Sequence, residues 1–183
     1  MKYLNNFFGL IENQFNYGGK KYGLASSNTR ESTDVLFDSH SFKWLVGTID
    51  KYCFRFRNLA RERDLLKIAC YQYILWLKRG FFIQSNGVSS PIDTNLEIKR
   101  KQYPVFSDKV EQYLNVYEKE INVAEDKITM ISNILQTWSD TGWESIKENH
   151  IFQIFGFAFA IWRRKYANLE KHDQDINHPH DKK

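Results

Sequence analysis

The residues best suited to chemistry lie in one stretch, DKYCFRFRNLARERDLLKIACY, from Asp50 to Tyr71. It threads the cations Lys51, Arg55, Arg57, Arg61, Arg63 and Lys67 and the carboxylates Asp50, Glu62 and Asp64 through a hydrophobic pattern. Lys51 and Arg55 stand four residues apart, so on a helix their like charges face each other at a cost of about 0.2–0.5 kcal/mol. A phosphate or carboxylate ligand lying between them would relieve that conflict. Glu62 or Asp64, reaching across from a following helix, would relieve it equally well. A charged hairpin that only solvates its outer faces is the commoner meaning of such a run.

Carboxylates converging from two or three helices are also how helical proteins hold Mg²⁺, which then bridges polyphosphate oxygens. Asp50, Glu62 and Asp64 are the hairpin's own acids, with Glu12, Glu31, Asp34 and Asp38 upstream. Such sites use inward-facing acidic pairs three or four residues apart. Glu31 and Asp34 have that spacing within a segment that reads as a loop, and one turn beyond Asp64 the chain carries Lys67 instead of an acid. His172, His178 and His180 fall in a polar tail, while His40 and His150 sit at expected helix starts, where local hydrogen bonding is the ordinary role. No Ser/His/Asp or Cys/His arrangement can be assembled, and there is no P-loop.

The elements that must position these residues are helical. At 183 residues, with 42% hydrophobic and 16% aromatic content, the chain has material for one packed domain. Only 3 Pro and 9 Gly leave long uninterrupted segments, which favours an all-α bundle. The net charge of +4 is uneven: from Ser41 to Gly80 nine cations stand against three carboxylates, an excess of six. An anionic partner would meet that region first. Cys53 and Cys70 occupy apolar phases, the pattern of reduced core thiols in a cytosolic protein. The opening MKYLNNFFGLIENQF is interrupted by Asn5, Asn6 and Glu12, unlike a signal peptide. The most apolar run, IFQIFGFAFAIW, falls short of the ~20 residues of a bilayer span, so the expectation is a cytoplasmic protein without a membrane segment.

Apolar spacing predicts a first helix over 3–14, closed by Gly18 and Gly19, and a loop over 24–40. Ser41 is expected to cap a second helix that buries Leu45, Ile49, Tyr52 and Phe56. A third helix over 61–78 buries Leu65, Leu66, Ala69, Tyr73 and Trp76. Residues 84–104, bounded by Gly87, Pro91 and Pro104, read as a linker between an N-terminal region (1–83) and a C-terminal helical region (105–170). Asp108-x-x-Glu111 and Thr141-x-x-Glu144 have the form of capping boxes. A helix over 124–138 and a last one over 151–169 follow, the latter apolar around most of its circumference and so destined for the core or a subunit interface. A tail over 171–183 is expected to be disordered.

Taken in order, YGGKKYG, GTIDKYCFRFRNL and RDLLKIACYQYILWLK resemble the small MazG-like all-α nucleotide pyrophosphohydrolases and related phage proteins, over residues 8–79. Asp50-Lys51 with Arg55 look like that family's acid–lysine helix, and Asp64-Leu65 with Tyr73 like its acid–leucine helix. The resemblance implies Mg²⁺-dependent cleavage of a nucleoside triphosphate to monophosphate and pyrophosphate. Asp50, Glu62 and Asp64 would be catalytic, Glu62 and Asp64 would hold the metal, and Lys51, Arg55 and Lys67 would bind phosphates. It also implies a homo-oligomer. Lys67 departs from the family pattern, which has a further acid there, and puts catalysis in doubt while leaving nucleotide binding open.

The rival expectation is a non-enzymatic helical protein that binds nucleic acid or a protein partner through a basic surface. The hairpin, Lys99-Arg100-Lys101 and Arg163-Arg164-Lys165 support it. What discriminates is whether Asp50, Glu62 and Asp64 converge in one pocket or the basic side chains form one open surface.

Overall fold

In the computed structural model, which describes residues 2–21, 32–83 and 86–167, the chain forms six α-helices and one short 3₁₀ turn, with no strand among the described residues. The helices are α1 (Lys2–Lys21), α2 (Ser32–Leu59), α3 (Glu62–Lys78), α4 (Leu96–Val123), α5 (Lys127–Thr141) and α6 (Glu148–Lys165), with the 3₁₀ turn at Trp143–Ser145. The all-α expectation holds.

α3 is the central element. Leu65, Leu66, Ala69, Tyr73 and Trp76 are buried as their spacing predicts, and Ile68, Cys70, Ile74, Leu75 and Leu77 are buried too. A helix buried around most of its circumference must be wrapped, and α3 packs against α1, α2, α4 and α6. α1 contributes Leu4, Phe7, Phe8 and Ile11, one helical stripe. Phe7 meets Phe155 at 5.5 Å and Trp162 at 5.2 Å, and Phe106 of α4 meets Tyr73 at 5.0 Å and Phe155 at 5.6 Å. α6 therefore closes the core within a single chain, lying on α3, α4, α5 and α1. Its apolar circumference gives no reason for a subunit interface.

Several expected boundaries differ. α1 continues through Gly18 and Gly19 to Lys21, because glycine accepts right-handed helix at a cost of about 1 kcal/mol each as well as it accepts a cap. α2 begins at Ser32, well before Ser41, so part of the expected loop is helix. In α2 Leu45, Val46, Thr48, Ile49, Cys53 and Phe56 are buried, while Tyr52 is half-buried. α4 begins at Leu96, where the Asn95 side chain accepts from the Ile98 N–H at 2.9 Å. Asp108 is thus mid-helix and caps nothing. Pro104 lies inside α4, tolerated where Tyr103 and Phe106 on either side are buried. Thr141-x-x-Glu144 likewise caps no helix; Gly142 leads into the 3₁₀ turn without a side-chain cap. Asp126 caps α5, accepting from the Thr129 N–H at 2.9 Å.

The segment after α3 is no loose linker between halves. The buried guanidinium of Arg79 donates to the carbonyls of Val88 and, at 3.2 Å, Asn86, and lies 5.1 Å from the Trp143 ring centre. Trp143 Nε1 donates to the Val88 carbonyl at 3.1 Å, and the Val88 and Ile92 N–H groups return to the Arg79 and Lys78 carbonyls at 2.7 and 2.9 Å. Gly87 (φ 77°) makes this approach feasible, since a Cβ there would lie 2.9 Å from the Arg79 carbonyl oxygen. With α6 packed on α3, the described chain forms one bundle.

Candidate functional site

Each hairpin carboxylate faces a different partner. Asp50 is exposed on α2 and turned to α5, where its Oδ1 accepts from Ser132 Oγ at 3.1 Å. Arg57, two turns further along α2, donates to Thr129 Oγ1 at 3.1 Å, and Thr129 Oγ1 donates to Asp126 Oδ2 at 2.6 Å. Asp50 thus belongs to a polar seam between α2 and α5. Cys53, buried beside that seam, has its thiol pushed up to about 12 by burial and then by the Asp50 charge, which makes it an inert core thiol.

Glu62 opens α3, and its Oε1 accepts from Trp162 Nε1 of α6 at 2.6 Å. Asp64 is fully buried. Its oxygens accept no hydrogen bond among the described residues, and the Arg55 guanidinium stands 3.4 Å from Oδ1. Arg55 is thereby opposed by Asp64 across the hairpin. The Lys51 ammonium lies 5.0 Å from the Tyr52 ring centre, and Arg55 lies 5.5 Å from the same ring. Lys67 is half-buried one turn beyond Asp64. The like-charge conflict between Lys51 and Arg55 accordingly has an intramolecular answer.

Among the described residues, no three His, Cys, Asp or Glu side chains are grouped so as to hold a metal ion. Asp64 and Glu62 fit Mg²⁺ poorly: one carboxylate faces a guanidinium and the other accepts an indole N–H. Glu12 is exposed on α1. The side chains of Glu31, Asp34, Asp38 and His40, and the tail with His172, His178 and His180, lie outside the described residues. His150 is half-buried and its Nδ1 accepts from Trp138 Nε1 at 3.4 Å; burial, then Lys147, holds its pKa below the ordinary value.

What the fold does bring together is cationic. The helices alternate up and down, so the C-termini of α2, α4 and α6 meet the N-termini of α1, α3 and α5 at one end. Contacts spanning about a hundred residues fix this end: Trp162 to Glu62, and the Tyr166 hydroxyl donating to the Ala60 carbonyl. Ala60 forms the α2–α3 turn at φ 47°, the left-handed cap position usually given to glycine. The Tyr166 hydroxyl is pushed up by burial, then by the nearby Glu62 and Asp64 charges. The Lys165 ammonium stands 5.3 Å from the Phe56 ring centre.

Arg57, Arg61, Arg63, Arg164 and Lys165 are all exposed at this end. Phe54, 65% exposed, sits one turn before Arg57 on the same side of α2, and Leu59 is exposed beside the turn. Of the hairpin's three acids, Asp64 points fully inward and Glu62 partly, while Asp50 is exposed two turns before Arg57 on the α5 side. Glu125 and Asp126 are also exposed on the α5 side. Lys99-Arg100-Lys101 does not join this surface: Lys99 is buried, and its carbonyl accepts from Tyr73, far along α3.

The sequence singled out the hairpin and Arg163-Arg164-Lys165 separately, and only the tertiary contacts merge them. Phe54 carried no signal of its own. Comparison with protein-family models, with curated proteins and with solved structures finds no match to this chain.

Proposed function

We propose that this protein binds single-stranded nucleic acid across the basic end of its bundle. The observation that carries the reading is the meeting of the α2–α3 turn and the α6 terminus, which gathers five exposed cations (Arg57, Arg61, Arg63, Arg164 and Lys165) at the end of the bundle where the Phe54 ring is also exposed. Lysine and arginine neutralise backbone phosphates without regard to sequence, and an exposed ring offers a stacking surface that an unpaired base can reach and a paired one cannot. The cations in the last turn of α6 also complement that helix's dipole. The dipole gives no account of Arg61 and Arg63 at the start of α3, where positive charge is unfavourable.

The nucleotide pyrophosphohydrolase reading asks for converging acids. Asp50 toward α5, Glu62 on Trp162 and Asp64 on Arg55 do not supply them. Nucleic-acid binding needs no such convergence.

Fluorescence anisotropy with labelled single-stranded and duplex oligonucleotides at low salt tests the proposal. Phe54→Ala should weaken single-strand binding by the ~1–3 kcal/mol of one stacked base and leave duplex binding unchanged. Arg61→Ala with Arg63→Ala should weaken both. Absence of binding to any oligonucleotide refutes the reading, and duplex preference with no effect of Phe54→Ala refutes the single-strand assignment. Pyrophosphate release from a nucleoside triphosphate with Mg²⁺ would reinstate the hydrolase.

A further inference from the structure

Beside the basic end, and reaching between four helices, lies a cleft of about 460 Å³ lined by Tyr3, Asn122, Lys127, Ala160, Arg163 and Arg164. Its volume falls within the ~300–1,000 Å³ of ordinary ligand sites. Three of the six lining side chains are cationic, and they come from two helices.

Two of these cations are held in place. Arg163 donates from Nη1 to Glu118 Oε1 at 2.8 Å and from Nη2 to Asn122 Oδ1 at 3.1 Å, with its guanidinium 5.7 Å from the Phe159 ring centre. Lys127 donates to the carbonyls of Asn122, at 3.1 Å, and Ala124, so it closes the C-terminus of α4 from the start of α5. Arg164 is exposed and makes no ion pair among the described residues. Glu118 is paired with Arg163, and among the described residues neither Lys127 nor Arg164 makes an ion pair. Their repulsion is felt: burial first, and Arg164 second, lower the proton affinity of Lys127.

The ordinary explanation for basic residues here is the α6 dipole, which accounts for Arg163 and Arg164. Lys127 closes the C-terminus of α4, and in doing so it adds like charge to the same space. A multiply charged oxyanion resolves that conflict, and a planar guanidinium fixed by Glu118 and Asn122 is preorganised for phosphate oxygens. The volume also leaves room for an organic group against Tyr3 and Ala160.

We propose that this cleft seats a phosphate monoester, with Lys127 and Arg164 supplying the charge and the Arg163 guanidinium, held by Glu118 and Asn122, offering the N–H groups those two leave over. The monoester is either the terminal phosphate of a bound strand or that of a free small molecule. The cleft reading does not depend on strand binding by the α2–α3 turn, and its test separates the two.

Calorimetric titration of the intact protein with phenyl phosphate at low ionic strength should show saturable binding. Arg164→Gln, an exposed position that leaves the fold intact, should weaken it about tenfold or more. Arg61→Ala with Arg63→Ala should leave it unmoved even where strand binding is lost. Lys127→Gln should weaken it too, with a thermal melt reporting any loss of the α4 cap. A 5′-phosphorylated oligonucleotide binding more tightly than its 5′-hydroxyl counterpart, with the difference erased by Arg164→Gln, assigns the cleft to strand ends. Phenyl phosphate binding without that difference assigns it to free monoesters. Failure of phenyl phosphate to saturate, or saturation unaffected by Arg164→Gln, overturns the proposal.

Discussion

Removing the Arg55 guanidinium should destabilise the fold through Asp64. Asp64 is 0% exposed, its oxygens have no hydrogen-bond donor, and Arg55 at 3.4 Å is its one ion-pair partner among the described residues. Breaking a buried ion pair from one side costs about 3–5 kcal/mol, because a charge is left uncompensated in a poorly solvated site. Arg55 is 31% exposed, and 3.4 Å is longer than a bidentate contact, so water screens part of the pair. The expected cost of Arg55→Ala is therefore about 2–3 kcal/mol. For a chain of this size ~1 kcal/mol moves Tm by about 2–4 °C, which gives a fall of about 4–12 °C. Asp64→Asn abolishes the buried charge, so in that background Arg55→Ala should cost under about 1 kcal/mol. Replacing both residues, Arg55→Met with Asp64→Leu, should be near neutral, as exchanging a buried pair for apolar groups often is. Thermal and urea melts of the four proteins form the cycle. A melting temperature unchanged in Arg55→Ala, or the same loss in both backgrounds, would show that Asp64 does not rely on Arg55.

Gly87→Ala should cost about 1–3 kcal/mol in urea melts, since φ is 77° and the new Cβ would meet the Arg79 carbonyl, a backbone atom that cannot swing aside; wild-type stability would remove the clamp on that segment. His150 has a depressed pKa and accepts from Trp138 while neutral, so below the ordinary histidine value of 6.5 the unfolded chain takes up a proton that the folded chain resists. Stability should hold above about pH 6.5 and fall on acidification below it. His150→Gln should reduce that fall, and identical pH profiles for variant and wild type would contradict the assignment.

Periodicity carried most of the helical core. Leu65, Leu66, Ala69, Tyr73 and Trp76 repeat at helical spacing and are buried together, as are Phe7, Phe8 and Ile11. Punctuation misled where burial outweighs local preference. Pro104 lies within α4 between two buried aromatics, and Gly18-Gly19 lie within α1. Asp108-x-x-Glu111 has the letters of a capping box without a helix start, because α4 is already under way from Leu96. In α2 Cys53 lies in the core as its apolar phase predicts, while Tyr52, expected on the buried face, is left half outside. The candidate site was less legible still. The contact of Trp162 with Glu62 joins residues a hundred apart, and no local pattern encodes it. The same holds for Asp50 and Ser132, so the facing of each hairpin carboxylate was settled by long-range packing.

The dependence of single-strand affinity on salt tests the basic end most directly. Each phosphate neutralised on a single strand contributes a slope of about −0.7 in log K against log salt. Contacts from all five exposed cations would approach −3.5 for the wild type, and Arg61→Ala with Arg63→Ala should reduce the slope by about 1.4. A slope near zero, or one unchanged in that variant, would contradict binding through this surface.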